Sequence, residues 1–416
     1  MPTKLFRNIS YLGLSQIANY LFPLITIPYI TRVVGPENYG LIEFASVTMV
    51  YFIGVVDYSF NTTATRRLAG ALQNQRQLQL VFSAVMRAKG WLLLIAALVF
   101  GLLLFLIPAF WDKSSLLLMA FPVVLGWALY PTFLLRGVQQ LGVVALANLV
   151  IKGAAAALIF IFLQSPDQYY LVPFFTGITQ LLVGLLALLY SLKKVPGLRF
   201  LRVPPRAVRF VFWEGRFVFL SLFMARVYGF GSIFIGGILL SSESLGLLAA
   251  AAKLITVAQS TVFQPLQGAL FPHLSQYLKQ DFAAYRRLHR RSLLRLLMIT
   301  GLASGGVFLL APWLVELIFG AEYQPAVPLL RIMAPMLLVG SVAHMSLQQG
   351  LLLLRQDRLY LYIVAGAALL SVALNFLLMP LLGMTGGALS KMLVETLLAA
   401  GAAVFFYLNL SAHAAR

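Results

Sequence analysis

Apolar residues run along this chain in stretches of about 20 to 28 positions, separated by short polar turns. No strand is that long, and the apolar character is not confined to one helical face, so each stretch predicts a helix that is apolar all round. At 1.5 Å per residue, 20 residues cover about 30 Å, the thickness of a bilayer's hydrocarbon core. The predicted spans cover about 10–33, 39–62, a third ending at Pro108, 114–135, 141–164, 170–192, 216–240, 243–270, 288–313, 327–354, an eleventh ending at Pro380, and 385–409. Pro23 and Pro28 predict a bend in the first span, and Pro122, Pro131, Pro265 and Pro335 mark kinks or hinges in others. The first apolar run, Tyr11 to Val34, is too long for the core of a signal peptide, so the first span is expected to remain.

The polar turns alternate in charge. Lys4 and Arg7 precede the first span, and basic residues recur after even-numbered spans: Arg66, Arg67, Arg76, Arg87 and Lys89, then Arg136, then Lys193 to Arg209, then Lys279 to Arg295, then Arg355 and Arg358. The intervening turns are neutral or acidic, with Glu37, Asp112, Asp167, Glu243, Glu316 and Glu322. Positive residues stay on the cytoplasmic side, so both termini are expected there. Glu37-x-x-Gly40-Leu41 recurs as Glu243-x-x-Gly246-Leu247, at the turn between the first two spans of each half. Matching orientation and this echo predict an all-α polytopic membrane protein of about 12 transmembrane helices in two six-helix lobes, related by a pseudo-two-fold axis along the membrane normal. The boundaries are 1–192 for the first lobe, 193–214 for a basic, proline-containing linker, and 215–416 for the second lobe.

Composition agrees: 61% of the 416 residues are apolar and 10% charged, and the mean hydropathy is +0.90. A net charge of +19 would fit a nucleic-acid partner only if the basic residues formed one stripe, and they lie at alternate span ends instead, so no nucleic-acid partner is expected. The absence of cysteine removes disulfides and thiolate chemistry. No phosphate-binding G-x-x-x-x-G-K-[ST] loop and no G-x-S-x-G elbow occurs, and His273, His289, His344 and His413 are too scattered for a zinc motif. No metal, no cofactor and no enzymatic activity are expected.

The informative residues are charges inside spans. Arg226 and Lys253 each lie ten residues into a predicted span, roughly 15 Å deep, where a charge costs at least about 2.5 kcal/mol and so faces a bundle interior or a watery cavity. Lys152 is similarly deep, and Lys391 and Glu395 lie four apart on the last span, a spacing that predicts a mutual ion pair. Glu43 and Asp57 lie near the ends of span two, and Arg331 near one end of span ten. An excess of cations suits an anionic substrate, because phosphate oxygens accept charge-assisted hydrogen bonds from Arg and Lys. Tyr20, Tyr51, Tyr58, Phe217, Phe223, Tyr228 and Phe230 offer aromatic faces for sugar rings, although packing is the commoner use of such residues. Glu395, the one carboxylate near mid-depth, is the candidate for a protonatable coupling group.

Asn8-Ile9-Ser10-Tyr11, Pro28-Tyr29-Ile30-Thr31-Arg32-Val33-Val34-Gly35-Pro36-Glu37-Asn38-Tyr39-Gly40 and Asp57-Tyr58-Ser59-Phe60-Asn61, followed by Ala64-Thr65-Arg66, closely resemble the Wzx-type O-antigen and polysaccharide repeat-unit flippases. Phe319-Gly320-Ala321-Glu322-Tyr323 and Gly383-x-x-Gly386-Gly387-Ala388-x-Ser390 extend the resemblance over the second half. It implies a transporter of the multidrug/oligosaccharidyl-lipid/polysaccharide superfamily in the bacterial cytoplasmic membrane. The implied cargo is an undecaprenyl-diphosphate-linked oligosaccharide for O-antigen or other polysaccharide biosynthesis, the implied mechanism alternating access, the implied coupling ion a proton or sodium, and the implied partner a polymerase of the same pathway. With it, we place Arg32 beside Arg226, Lys253, Lys152 and Lys391 as cationic substrate-binding candidates, and Asp57, Glu43 and Arg66 beside Glu395 as coupling or gating candidates. One departure is Ala252, where many members carry a glutamate before the lysine that Lys253 matches. The rival readings are a small-molecule antiporter of the same superfamily and a membrane glycosyltransferase or polymerase, the latter opposed by the short outer loops.

Overall fold

The computed structural model describes residues 2–71, 74–140 and 142–414. The side chains of Lys4, Arg7, Tyr20, Pro23, Pro265, Lys279 and His413 lie outside those described. The chain divides into two compact units, one running to Phe223 and the other from Met224. The helices in order are α1 (Pro2–Asp57), α2 (Phe60–Gly70), α3 (Gln75–Leu106), α4 (Pro108–Trp111), α5 (Ser114–Ala120), α6 (Pro122–Leu129), α7 (Thr132–Gly137), α8 (Gly142–Phe162), α9 (Leu171–Lys194), α10 (Pro205–Leu239), α11 (Ser242–Gln280), α12 (Phe282–Phe319), α13 (Val327–Met333), α14 (Met336–Ser346), α15 (Asp357–Leu382) and α16 (Met384–Ala414).

Among the described residues nine helices are long and apolar enough to cross a membrane, or ten if the pair Ala321–Met333 and Met336–Leu351, bent by 45°, counts as one span. That criterion takes Ile25–Gly70 as a single helix and leaves Leu149–Phe162 of α8 as a shorter apolar segment. The faces agree with immersion in lipid. Leu98 and Phe105 on α3 are 74% and 77% exposed, and Leu302 on α12 is 80% exposed, positions that only a hydrocarbon surround makes inexpensive.

Local sequence sets the breaks. The break inside α1 falls at Gly35, whose φ of 71° favours a residue without Cβ, and no other residue of α1 departs from helical geometry. The expected loop Glu37 to Gly40 is therefore already helix. Glu243 lies in the first turn of α11, where Ser241 caps the helix by accepting from the Ser244 N–H. Both members of the sequence echo thus stand at the start of a helix that follows a sharp break. Asp281 caps α12 in the same manner. Pro335 stands in the 45° bend between α13 and α14, and Pro122 and Pro131 divide span four into α5, α6 and α7.

The connector after α9 packs into the first unit. Val195, Leu198, Val203, Val208 and Val211 are buried in one cluster with Phe60, Leu68, Phe82 and Phe133, so the basic segment presents its charges outward from an apolar anchor.

Candidate functional site

In the first unit the buried charge lies where span four is broken. Pro131 has no N–H to give the Trp127 carbonyl, and the residue before a proline turns extended, as Tyr130 does at ψ 109°. The Leu134 N–H goes to the Pro131 carbonyl, which leaves the Tyr130 carbonyl open as well. Lys89, 1% exposed on α3, fills both: its Nζ donates to Trp127 O at 2.9 Å and Tyr130 O at 3.0 Å. The same ammonium lies 3.7 Å from Asp57 Oδ1. Asn61 Nδ2 donates to both Asp57 oxygens, at 2.9 and 2.7 Å, and Thr132 Oγ1 donates to Asn61 Oδ1. One cation thus holds the end of α1, the start of α2, α3 and the broken helix together. Lys89 was read from sequence as an orienting surface charge; the structure corrects this, because orphaned carbonyls and a carboxylate 32 positions away are not local signals.

The other first-unit candidates lie on α1, α2 and α8. Arg32 and Arg66 are exposed and Lys152 is half-buried at the centre of α8, ten residues from either end. Glu43 accepts from Tyr39 Oη at 3.0 Å. Tyr58 stacks on Phe219 with ring centres 4.3 Å apart and donates to Phe212 O at 3.1 Å, which gives its ring a packing role.

In the second unit Arg226 and Lys253 are half-buried on α10 and α11. Their Cα positions lie 13 residues before Leu239 and 11 after Ser242, or about 20 and 16 Å from the shared turn, so both remain near mid-depth. Arg331 donates to Phe308 O at 3.3 Å and lies over the Phe308 ring at 5.6 Å, a neutral resting place at a helix end. The expected Lys391–Glu395 pair does not form. Lys391 Nζ donates to Gly229 O at 3.4 Å instead, because a backbone carbonyl competes for it across the helix interface.

Glu395, 6% exposed, lines a cavity of about 230 Å3 with Gln259, Phe263, Gly340, His344 and Tyr360. It has no hydrogen bond or ion pair among the described residues. A Cβ at Gly340 would lie 3.0 Å from Gln259 Nε2 and 3.2 Å from Glu395 Oε1, so glycine keeps the cavity open between the two groups. His344 stacks on Phe263 with centres 5.1 Å apart, and its Nε2 and the Gln348 Oε1 are buried without a hydrogen-bond partner among the described residues. Unpartnered buried polar atoms around a cavity mark a place for water or an ion. Sequence reasoning found Glu395 but not Gln259, His344 or Gln348, which converge from α11, α14 and the turn beyond it.

Long lipid-facing helices, broken spans and charges held at bilayer depth define an all-helical polytopic membrane protein. The chain belongs to the polysaccharide biosynthesis protein family, whose model matches residues 5–278. An Escherichia coli (strain K12) protein named "Putative O-antigen transporter" is 29% identical over 395 residues, covering 95% of this chain and 94% of that one. A protein of the same name from Shigella dysenteriae is 25% identical over 322 residues, covering 76% of this chain and 78% of that one. The fold is shared with a multidrug resistance MATE family transporter of the MOP superfamily, at a TM-score of 0.77 and 13% identity over 98% of both chains. It is shared too with the lipid II flippase MurJ, at a TM-score of 0.73 and 13% identity, covering 96% of this chain and 90% of that one.

Proposed function

We propose that the protein is a flippase that carries undecaprenyl-diphosphate-linked oligosaccharides across the bacterial cytoplasmic membrane by alternating access of its two lobes, for O-antigen or related polysaccharide assembly. The observation that carries this reading is the near full-length similarity to the E. coli relative and the name it bears. The charge balance supports it. The second unit carries Arg226 and Lys253 near mid-depth, and guanidinium and ammonium groups suit a diphosphate. Lys152, Arg32 and Lys391 are the further cationic candidates. A cationic drug would call for the opposite sign, which disfavours the antiporter reading. In this reading both termini lie in the cytoplasm, and a polymerase of the same pathway would receive the cargo outside. Cells lacking the protein are expected to accumulate the lipid-linked oligosaccharide on the cytoplasmic leaflet, measured by its accessibility to a sugar-modifying enzyme in sealed inside-out vesicles. An unchanged distribution would contradict the proposal.

Glu395 is the proposed coupling group, acting alone and not through Lys391. Glu43, Asp57 and Arg66 are weaker candidates for gating, Asp57 because its charge already serves the packing. Glu395→Gln keeps the shape and removes the titrating proton, so its transport in vesicles should be flat across an imposed pH gradient while wild type responds. Equal gradient dependence in both would remove Glu395 from the drive.

A further inference from the structure

Where α3 meets the first turns of α10, the first unit holds a second cavity, of about 360 Å3, lined by Arg87, Trp91, Pro205, Val208, Arg209 and Phe212. Two guanidinium groups stand at it, and neither has a carboxylate partner among the described residues. Arg87 gives one N–H to Val203 O at 3.0 Å, which fixes the side chain against the connector and leaves most of its five donors available. Arg209 is exposed, with no hydrogen bond among the described residues. The walls, Trp91, Val208 and Phe212, are apolar.

The cavity opens onto a stripe of matching chemistry. Trp91, Ile95 and Leu98 are 53%, 50% and 74% exposed and, with Arg87, follow one face of α3 at helical spacing. Leu102 and Phe105, 56% and 77% exposed, continue it. Arg87 lies 19 residues before Leu106, the end of α3, or about 28 Å along the axis. A helix whose far end meets one edge of the hydrocarbon core therefore sets Arg87 at the other, at headgroup level. Cations at the edge, an aromatic side chain beside them and an exposed apolar track leading inward form the complement of an anionic phospholipid.

We propose that this groove binds an anionic glycerophospholipid of the bilayer, its phosphate between Arg87 and Arg209 and an acyl chain along Trp91, Ile95 and Leu98. The lipid is a structural ligand and not the cargo, and it ties the connector at Val203 and Pro205 to α3. Only the leaflet, the cytoplasmic one, rests on the orientation proposed above; binding does not depend on transport, so either proposal can fail alone.

The test is native mass spectrometry of the purified full chain, with thermal unfolding in parallel, in zwitterionic phosphatidylcholine discs doped with phosphatidylglycerol. Wild type should retain phosphatidylglycerol over phosphatidylcholine and unfold at a higher temperature when it is present. Arg209→Ala, which removes no hydrogen bond or ion pair among the described residues, should cut retention about tenfold, as loss of one charge-assisted hydrogen bond implies, with its Tm in pure phosphatidylcholine unchanged. Arg209→Lys should restore part of the retention. Equal retention by wild type and Arg209→Ala would overturn the proposal. So would a full thermal shift from inorganic phosphate alone, or displacement of phosphatidylglycerol by stoichiometric undecaprenyl diphosphate, which would make the groove a cargo site.

Discussion

Lys89→Ala is expected to destabilise the protein by about 3–5 kcal/mol, the range for removing one partner of a buried ion pair, with a correspondingly lower Tm in detergent. The cause is threefold. Asp57 loses its counter-ion at 3.7 Å, and the Trp127 and Tyr130 carbonyls lose the donor that replaces the N–H groups missing at the Pro131 break. Asp57→Asn should cost less, because Lys89 keeps both carbonyls. The diagnostic variant is the double Lys89→Met, Asp57→Asn. With no charge left to strand, it should be more stable than the single change Lys89→Met and depart from the sum of Lys89→Met and Asp57→Asn by about 0.5–3 kcal/mol. Strict additivity would mean that the two side chains do not act as a pair. A loss of transport in any of these variants would follow the loss of folded protein, which quantifying the membrane-inserted fraction would reveal.

Arg226→Ala is expected to lower transport by roughly 10- to 100-fold with normal membrane insertion. A hydrogen bond to a charged group contributes about 1.5–3 kcal/mol, and each 1.4 kcal/mol is a factor of ten. Arg226→Lys should recover only part of the rate, because an ammonium lacks the planar fork that meets two phosphate oxygens at once. Lys253→Ala should lower the rate in the same direction, and Lys253→Arg should be tolerated better than Arg226→Lys. Wild-type transport by Arg226→Ala would place that charge outside the cargo path.

The membrane-spanning character was legible from sequence because immersion in lipid requires apolar residues on nearly every face, a demand visible one residue at a time. The start of α11 was legible from the polar turn at Ser241, whereas α12 begins at Phe282 behind its Asp281 cap, six residues ahead of the expected span at 288, because its first turns are polar and carry no apolar signal. The α1 break was placed by its Gly-Pro pair, but Glu37 to Gly40 coils at once instead of forming a loop. The role of Lys89 was hidden, because a basic residue close to other basic residues reads as an orienting charge, and its partners are created by a proline on another span. The i, i+4 rule predicted a Lys391–Glu395 pair that isolated helices would favour; in the folded unit Gly229 offers Lys391 an acceptor and leaves Glu395 facing its own cavity. Glu395 could be found from its depth alone, whereas Gln259, His344 and Gln348 are polar residue types that also occur as satisfied packing residues and give no such signal.

The most direct measurement is translocation of an undecaprenyl-diphosphate-linked oligosaccharide in proteoliposomes containing only this protein, followed by the cargo's accessibility to an external sugar-oxidising enzyme. The account predicts that cargo sealed inside becomes accessible at a rate proportional to protein content, with undecaprenyl diphosphate competing and the free oligosaccharide not competing. Cargo that stays inaccessible in vesicles whose protein is folded and inserted, under an imposed proton or sodium gradient, would contradict it.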